Sequence, residues 1–283
     1  MNESSTKVSL ITGATSGIGA ATALKVARTG ATVVIVGRKA RRCIHQVSKI
    51  RRRVPGAHVD YFVADLSSQE QVRRLAAEFA ARYPRLDILI NNAGAYFAKR
   101  EVSVDGLEMN FALNHMAYFL LTTLLLDRLK ESPSGRIVVV SSGAHTNGKI
   151  DYDDLQMGQN YSLGRAYAQS KLANVLFTYA LARRLEGTRV TVNALHPGLV
   201  ATNLGSNNNW LRTKMRNLLK REILSPEEGA KTVVYLAVSP EVEGVSGKYF
   251  YECKAIPSSK ESYIEANQER LWQVSERLTR PSD

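Results

Sequence analysis

Cysteines and long apolar runs are scarce in this sequence, and their scarcity excludes several classes of protein. The two cysteines, Cys43 and Cys253, lie far apart and have no partner at metal-ligand or redox spacing. We therefore expect no disulfide framework and a reducing compartment such as the cytoplasm. The longest apolar stretch, 116–126, contains two threonines and is too short to cross a bilayer. No signal peptide is predicted, so the protein should be soluble or peripheral to a membrane.

Carboxylates are absent between Ser4 and His58, and the 283-residue chain has a formal net charge of +12. Basic residues crowd the end of this region: Arg38, Lys39, Arg41, Arg42, Lys49, Arg51, Arg52 and Arg53. A nucleic-acid site would carry base-stacking aromatic residues among its cations, and none is interleaved here. We therefore expect a solvated helix face and no nucleic-acid partner. The five histidines are scattered, so no metal site is predicted.

Short apolar runs alternate with segments of helical periodicity along the whole chain. The strand-like runs are 7–12, 32–36, 58–64, 86–90, 136–140, 188–194 and 247–250. This alternation predicts an α/β fold, a Rossmann-type doubly wound sheet of about seven mainly parallel strands with helices on both faces. No linker or repeat divides the chain, so we expect a single domain over 1–283. Two helix starts are also predicted from capping boxes, at Ser67 with Glu70 and at Ser225 with Glu228.

A glycine-rich turn, 13–19, joins the first predicted strand to a helix. Strand, glycine turn and helix form a phosphate-binding arrangement, because glycines let the backbone approach a pyrophosphate at the helix N-terminus. The second strand leads into Gly37-Arg38-Lys39, where such a fold meets the adenosine ribose. NAD sites carry a carboxylate there, whereas Arg38 suits the 2′-phosphate of NADP. NADP(H) is therefore the predicted cofactor.

Tyr167 and Lys171 lie four residues apart in a segment with helical apolar periodicity. This spacing puts both side chains on one helical face. A phenol has a pKa near about 10, and an ammonium one turn away favours its anion, so the pair predicts a proton-transfer device. Tyr161 has Arg165 at the same offset and is the weaker candidate, because a guanidinium cannot release a proton. Taken alone, the pair also fits an ordinary amphipathic helix with a surface lysine.

Small or polar residues follow several of the predicted strands, where ligands bind in parallel sheets. Asn91-Asn92-Ala93-Gly94 follows the fourth strand, Ser141-Ser142 the fifth and Pro197-Gly198 the sixth. Asn114 lies in an otherwise apolar helical segment, 105–128, and its amide needs hydrogen-bond partners. Further on, 203–224 contains an amphipathic stretch, 210–223, that fits either a C-terminal lid over an apolar substrate or a membrane-surface helix.

Taken in order, these motifs resemble the classical short-chain dehydrogenase/reductase family over nearly the whole chain. They are Thr12-Gly13-x3-Gly17-Ile18-Gly19, Asn91-Asn92-Ala93-Gly94, Asn114, Ser142, Tyr167-x3-Lys171 and Pro197-Gly198. Within that family, Asn114-His115, the segment from Ala166 to Asn174 and His196-Pro197-Gly198 are similar to the retinol dehydrogenase and WW-domain oxidoreductase branch. The family often forms dimers or tetramers, so the resemblance also implies a homo-oligomer.

The resemblance implies a role for each motif residue. Tyr167 would exchange a proton with the substrate oxygen, Lys171 would hold the nicotinamide ribose and favour the phenolate, and Ser142 would hydrogen-bond the substrate oxygen. Asn114 would hold a water molecule that links Lys171 to solvent. The implied cofactor-binding residues are Gly13, Thr15, Ser16, Gly17, Ile18, Gly19, Arg38, Asp65, Leu66, Asn92, Ala93, Gly94, Tyr167, Lys171, Pro197, Gly198, Val200 and Thr202.

Together, these expectations predict an NADP(H)-dependent oxidoreductase that interconverts an alcohol and an aldehyde or ketone. Its substrate is expected to be a lipophilic small molecule. Two alternatives stay open at this point. One is an NADP(H)-sensing binding protein with a regulatory role, which would bind the cofactor without turnover. The other is a light-dependent pigment reductase, which shares the Tyr-Lys helix and for which the sequence provides no independent mark.

Overall fold

The structure is a computed structural model that describes residues 6–200 and 223–280. Within these residues, eight strands form one sheet in the order β3-β2-β1-β4-β5-β6-β7-β8. The strands are Val8–Thr12 (β1), Thr32–Gly37 (β2), Val59–Val63 (β3), Ile88–Asn91 (β4), Arg136–Val140 (β5), Thr191–Leu195 (β6), Lys248–Tyr251 (β7) and Lys254–Ile256 (β8). The predicted mainly parallel α/β sheet is confirmed.

Strand β1 is the topological centre of the sheet. It pairs in parallel with β2 on one side and β4 on the other, so the chain reverses its direction of progress across the sheet at this point. Ligands bind at the carboxyl ends of the strands beside such a switch point. The sequence motifs that follow β1, β2, β4, β5 and β6 all lie at that edge.

Only β8 pairs antiparallel among the described strands, and the sequence analysis did not predict it. It is three residues long and joins β7 through a turn in which Glu252 and Cys253 have φ of +48° and +62°. Turns with positive φ are usually marked by Gly, Asn or Asp. Because neither residue is of that kind, the hairpin left no recognisable signal.

The helices cover both faces of the sheet. They are Gly17–Ala27 (α1), Ala40–Arg53 (α2), Gln69–Arg82 (α3), Met109–Lys130 (α4), Leu163–Arg184 (α5), Pro226–Val238 (α6) and Glu265–Leu278 (α7). Helices α1, α2 and α6 bury their apolar residues against one face, and α3, α4, α5 and α7 cover the other. The sheet is therefore enclosed by two apolar cores, as its mostly apolar strands require.

Helix α4 begins later than the predicted segment, 105–128. The Glu108 carboxylate accepts hydrogen bonds from the N–H groups of Asn110 and Phe111, each at 2.9 Å, and so caps the helix at Met109. A π-helical turn, Ala112–Met116, follows within it. By length and composition α4 would also suit a membrane span, but most of it is buried, as in the core helix of a soluble protein.

The two predicted capping boxes have different outcomes. At α6 the Ser225 side chain accepts from the Glu228 N–H while the Glu228 carboxylate accepts from the Ser225 N–H, as predicted. At α3 the prediction is wrong by one residue, because the capping side chain is Ser68. Ser67 instead donates its backbone N–H to the Asp65 carboxylate at 3.0 Å, which forms an Asx turn before the helix, and its hydroxyl donates to the same oxygen at 2.7 Å.

Candidate active site

The glycine turn between β1 and α1 leaves the N-terminus of α1 open. Gly13 and Gly17 have φ of +65° and +54°, conformations that favour glycine. Ser16 is the N-cap residue but its side chain makes no capping hydrogen bond, and the first turn of α1 contains no acidic residue. Within the described part of the chain, the amides at this helix start therefore lack a side-chain partner and can bind an anion.

The turn is packed against the loop after β4 so closely that Gly19 has no room for a side chain. A Cβ there would lie 2.4 Å from the Gly13 carbonyl oxygen and 2.5 Å from Asn92 Nδ2. Asn92 Nδ2 itself donates to the Thr12 carbonyl at 2.8 Å. The Asn92 side chain, which the resemblance assigns to a ribose, thus also fixes the backbone of the turn.

Thr12 is a residue of this site whose structural role the sequence analysis missed. Its buried hydroxyl accepts from the N–H groups of Asn92 and Ala93, at 2.8 and 3.0 Å, and donates to the Ile90 carbonyl at 3.2 Å. One side chain therefore joins the end of β1 to the end of β4. The position of Thr12 directly before Gly13 was the only available signal.

Arg38 lies exposed beyond the carboxyl end of β2. The preceding Gly37 packs on the turn, because a Cβ there would lie 2.5 Å from Thr15 Cγ2. Arg38 and Thr15 therefore belong to the same edge of the site. After β3, Leu66 is buried, and the Asp65 carboxylate accepts from the Ser67 N–H at 3.0 Å in addition to the Ser67 hydroxyl.

These residues fit a nicotinamide dinucleotide. The open N-terminus of α1 with glycines at Gly13 and Gly17 offers backbone N–H groups to a pyrophosphate, and a Cβ at Gly19 would fill the turn. The exposed guanidinium of Arg38 is the nearest cationic side chain after β2 in the sequence and is free of carboxylate neighbours in that segment. This set of donors suits phosphate groups and contains no group that would repel them.

Tyr167 lies on α5, which begins four residues earlier, at Leu163. Both Tyr167 and Lys171 are buried, with 5% and 3% of their surface exposed. The Ser142 side chain, which follows β5, lies beside the Tyr167 phenol and acts to lower its pKa. Ser141 is directed elsewhere, since its hydroxyl donates to the Lys171 backbone carbonyl at 2.7 Å. The structure therefore brings Ser142, and not Ser141, to the phenol.

Burial dominates the ionisation of this pair. It raises the pKa of the Tyr167 phenol well above its ordinary value, and the neighbouring Tyr96 raises it further. Burial also lowers the pKa of the Lys171 ammonium to about 7. Lys171 Nζ donates to the Val140 carbonyl at 3.1 Å and lies 5.6 Å from the centre of the Tyr167 ring. The predicted lowering of the phenol pKa by the ammonium is therefore not present in the protein alone, because desolvation outweighs it.

Asn114 sits in the π-helical turn of α4, and protein groups occupy its side chain. Its Oδ1 accepts from the Ala95 N–H at 2.9 Å, while its Nδ2 donates to the Ala95 carbonyl and to Ser170 Oγ, each at 3.1 Å. Its backbone carbonyl accepts from Asn174 Nδ2 at 2.9 Å. Asn114 therefore anchors the loop that follows Gly94, and the role implied for it with water stays a prediction.

Part of the predicted nicotinamide end of the site can be placed. Gly198 has a φ of +81°, and Val200 packs against Gly229 of α6, where a Cβ would lie 2.5 Å from Val200 Cγ2. Val200 also forms an isolated bridge with Leu224. Thr202 lies outside the described residues, as does nearly all of the predicted lid or membrane-surface segment, 203–224.

Two tyrosines beside Tyr167 were missed by the sequence analysis. The Tyr96 ring lies on the Tyr167 ring with their centres 3.9 Å apart and their planes 30° apart. Tyr118 is buried on α4 with its ring 5.7 Å from Lys171 Nζ, and its hydroxyl has no hydrogen-bond partner among residues 6–200 and 223–280. Tyr118 lies four residues after Asn114, a helical spacing that could have indicated it. Tyr96 lies in a loop, where no helical or strand periodicity in the sequence marks it.

Histidines near the site serve packing. His145 Nδ1 lies 2.8 Å from the Ser142 carbonyl, and His196 stacks on Tyr251 with ring centres 4.1 Å apart. Burial lowers the pKa of both imidazoles, that of His196 to about 4. Across residues 6–200 and 223–280, no three His, Cys, Asp or Glu side chains are grouped so that they could hold a metal ion.

Comparisons with known proteins agree with this geometry. The family model described as short chain dehydrogenase matches residues 7–211. Human retinol dehydrogenase 14 is 45% identical, over 95% of this chain and 85% of its own length. The crystal structure of an uncharacterized protein from Mycobacterium paratuberculosis has a TM-score of 0.77 at 33% identity, covering 96% of this chain and 93% of that one. The structure of a single-residue variant of actinorhodin polyketide ketoreductase with NADPH has a TM-score of 0.70 at 26% identity, covering 88% and 97%.

Proposed function

The chain belongs to the short-chain dehydrogenase family, and from that premise we propose that it is an NADP(H)-dependent oxidoreductase for a lipophilic alcohol and the corresponding aldehyde or ketone. As its family and relatives indicate, the protein is an oxidoreductase that acts on alcohol and carbonyl groups.

The observation that carries the proposal is the position of the Ser142 side chain beside the buried Tyr167 phenol at the carboxyl end of β5, with Lys171 one helical turn away. A carbonyl oxygen placed against both hydroxyls would receive two hydrogen bonds, which stabilise the negative charge that develops on it during reduction. Tyr167 then gives its proton to that oxygen. The reduced nicotinamide supplies the hydride when it is bound.

The high pKa of Tyr167 favours one direction of this chemistry at neutral pH. A phenol that burial keeps protonated is ready to donate, which suits carbonyl reduction. Alcohol oxidation needs the phenolate and so becomes faster as the pH rises. Lys171, with a pKa of about 7, carries a full charge only below neutral pH in the protein alone. We therefore propose carbonyl reduction as the direction that the protein groups favour at neutral pH.

The preference for NADP rests on the charge at the end of β2. Arg38 is exposed there, and no carboxylate lies between Ser4 and His58 to accept the ribose hydroxyls of NAD. A guanidinium can form two parallel hydrogen bonds with a phosphate. The polyketide ketoreductase of similar fold was solved with NADPH, which supports the same choice.

A lipophilic substrate is supported by the name of the relatives and by apolar surface near the site. Retinol dehydrogenase 14 is named for a lipophilic alcohol. In this chain Leu199 and Ile223, which flank the segment beyond Gly198, expose 42% and 39% of their surface. A cytoplasmic location with peripheral membrane contact through 210–223 is part of the proposal, since a lipophilic alcohol would be drawn from a membrane.

The test is turnover of the purified full chain with a short aldehyde, a long one and retinal, followed by the loss of reduced-nicotinamide absorbance. We expect NADPH to be used in preference to NADH, and Ser142→Ala to lower kcat by roughly 100-fold or more, because it removes one oxyanion donor. Ser48→Ala, an exposed serine on α2, is the matched control. Tight NADPH binding with no turnover of any carbonyl would reject the enzyme and favour a cofactor sensor.

A further inference from the structure

The Tyr167 hydroxyl has more neighbours than the proposed reaction needs. Besides Ser142, the Tyr96 side chain lies against the phenol and influences its pKa. The two phenol rings are in close contact, with centres 3.9 Å apart. A phenol has a single proton to donate. A substrate oxygen that is to receive it must therefore find a place beside two side chains that already lie against Tyr167.

Of these two groups, Ser142 is required at the substrate oxygen if the proposed function holds. The group that has to give way is then Tyr96. Its ring is only half-buried, whereas the Tyr167 ring below it is buried, so Tyr96 lies on the outer side of the pair. A molecule that approaches Tyr167 from solvent on this side meets Tyr96 first.

The backbone on both sides of Tyr96 is held in place. Asn114 holds the Ala95 peptide through both its N–H and its carbonyl. Phe97 is buried in the core, and its carbonyl accepts from the Tyr161 hydroxyl. Because the loop is fixed at these two points, Tyr96 can leave Tyr167 by rotating its side chain while the loop stays where it is.

We propose that Tyr96 is a selectivity residue that rests on Tyr167 in the position of the substrate oxygen and must be displaced before a carbonyl compound can react. Its hydroxyl competes with the substrate for Tyr167, and its ring limits the bulk that fits beside the carbonyl carbon. This inference rests on the proposed function. It adds a determinant of substrate choice besides Asn114, Ser142, Tyr167 and Lys171.

Two variants separate the hydroxyl from the ring. Tyr96→Phe removes the competing hydroxyl and keeps the stacked ring, so KM for decanal should fall about fivefold, the effect of one ordinary hydrogen bond, while kcat stays close to that of the parent. Tyr96→Ala removes the ring as well. The ratio of kcat/KM for cyclohexanone to that for decanal should then rise about tenfold or more, since the space beside the carbonyl carbon has grown.

Tyr235→Phe is the matched control, because Tyr235 lies on α6, across the sheet from Tyr167, and donates its hydroxyl to Glu241 at 3.2 Å. It should leave KM and kcat unchanged. Thermal unfolding and NADPH titration of each variant check that the fold and the cofactor site persist. Tyr96→Phe remains informative even if Tyr96→Ala is unstable.

An unchanged KM in Tyr96→Phe would overturn the inference, as would a raised KM with a lowered kcat, which would mean that Tyr96 donates to the substrate. Failure of the proposed function looks different. In that case the parent protein would reduce neither decanal nor cyclohexanone, whatever residue stands at position 96.

Discussion

The packing of the glycine turn leads to a prediction about Gly19→Ala. Gly19 is the third residue of α1, and a methyl group there would lie 2.4 Å from the Gly13 carbonyl oxygen and 2.5 Å from Asn92 Nδ2. Forcing an extra methyl into a packed site costs about 1–3 kcal/mol. If Asn92 moves aside, its hydrogen bond to the Thr12 carbonyl, about 1 kcal/mol, is lost as well. Alanine regains about 0.5–1 kcal/mol as the better helix former.

The net expectation is a loss of about 1–3 kcal/mol in the free energy of unfolding, with a weaker affinity for NADPH because the turn itself has moved. Urea denaturation and fluorescence titration with NADPH measure the two effects. Gly164→Ala is the control, since Gly164 is the second residue of α5 and, among the described residues, a Cβ there would have only Ser162 Oγ near it, at 3.9 Å. That variant should be as stable as the parent or slightly more so. Equal stability and equal NADPH affinity of Gly19→Ala and the parent would refute the packing argument.

Three further predictions concern the same site. Arg38→Ala should weaken NADPH binding by roughly 10- to 100-fold and leave NADH binding nearly unchanged, because a charge-assisted hydrogen bond contributes about 1.5–3 kcal/mol. Equal losses of affinity for both cofactors would show that Arg38 does not bind the 2′-phosphate. Thr12→Val should cost about 1–3 kcal/mol in urea denaturation by leaving the Asn92 and Ala93 N–H groups unpaired, while Thr12→Ser should retain most of the stability. Initial rates of alcohol oxidation should rise between about pH 6 and 9, because the raised pKa of Tyr167 leaves little of the required phenolate at the lower end of this range. A rate of oxidation that falls with pH would contradict this.

Local patterns in the sequence were sufficient for most of the fold. Each of the seven strand-like runs corresponds to one of β1 to β7 within a few residues, because alternating or continuous apolar stretches between polar segments constrain the local structure strongly. The elements that escaped prediction lack such patterns. Strand β8 is short and mostly exposed, and its turn uses Glu252 and Cys253 at positive φ.

The site could be predicted in outline for a similar reason. The glycine turn and the spacing of Tyr167 and Lys171 are local, and parallel topology brings the strand ends together. The finer arrangement depends on contacts between distant segments. Tyr96 meets Tyr167 only because α4 and α5 pack against the loop after β4, and no periodicity in the sequence marks it.

The pKa values of the site also depend on the folded structure and not on local sequence alone. The sequence places an ammonium one turn from the Tyr167 phenol, and from this alone a lowered pKa was expected. The depth of burial decides the result, and it raises the pKa of Tyr167 while lowering that of Lys171 to about 7. Burial is a property of the folded chain as a whole, which spacing along one helix does not reveal.

The most direct test of the account is a single-turnover measurement of hydride transfer from bound NADPH to decanal, with the parent and Tyr167→Phe compared at equal cofactor saturation. The account predicts that the variant transfers hydride roughly 100- to 10,000-fold more slowly while its affinity for NADPH is little changed, because only the proton donor is removed. Hydride transfer by Tyr167→Phe at the rate of the parent would contradict the central claim that this phenol supplies the proton.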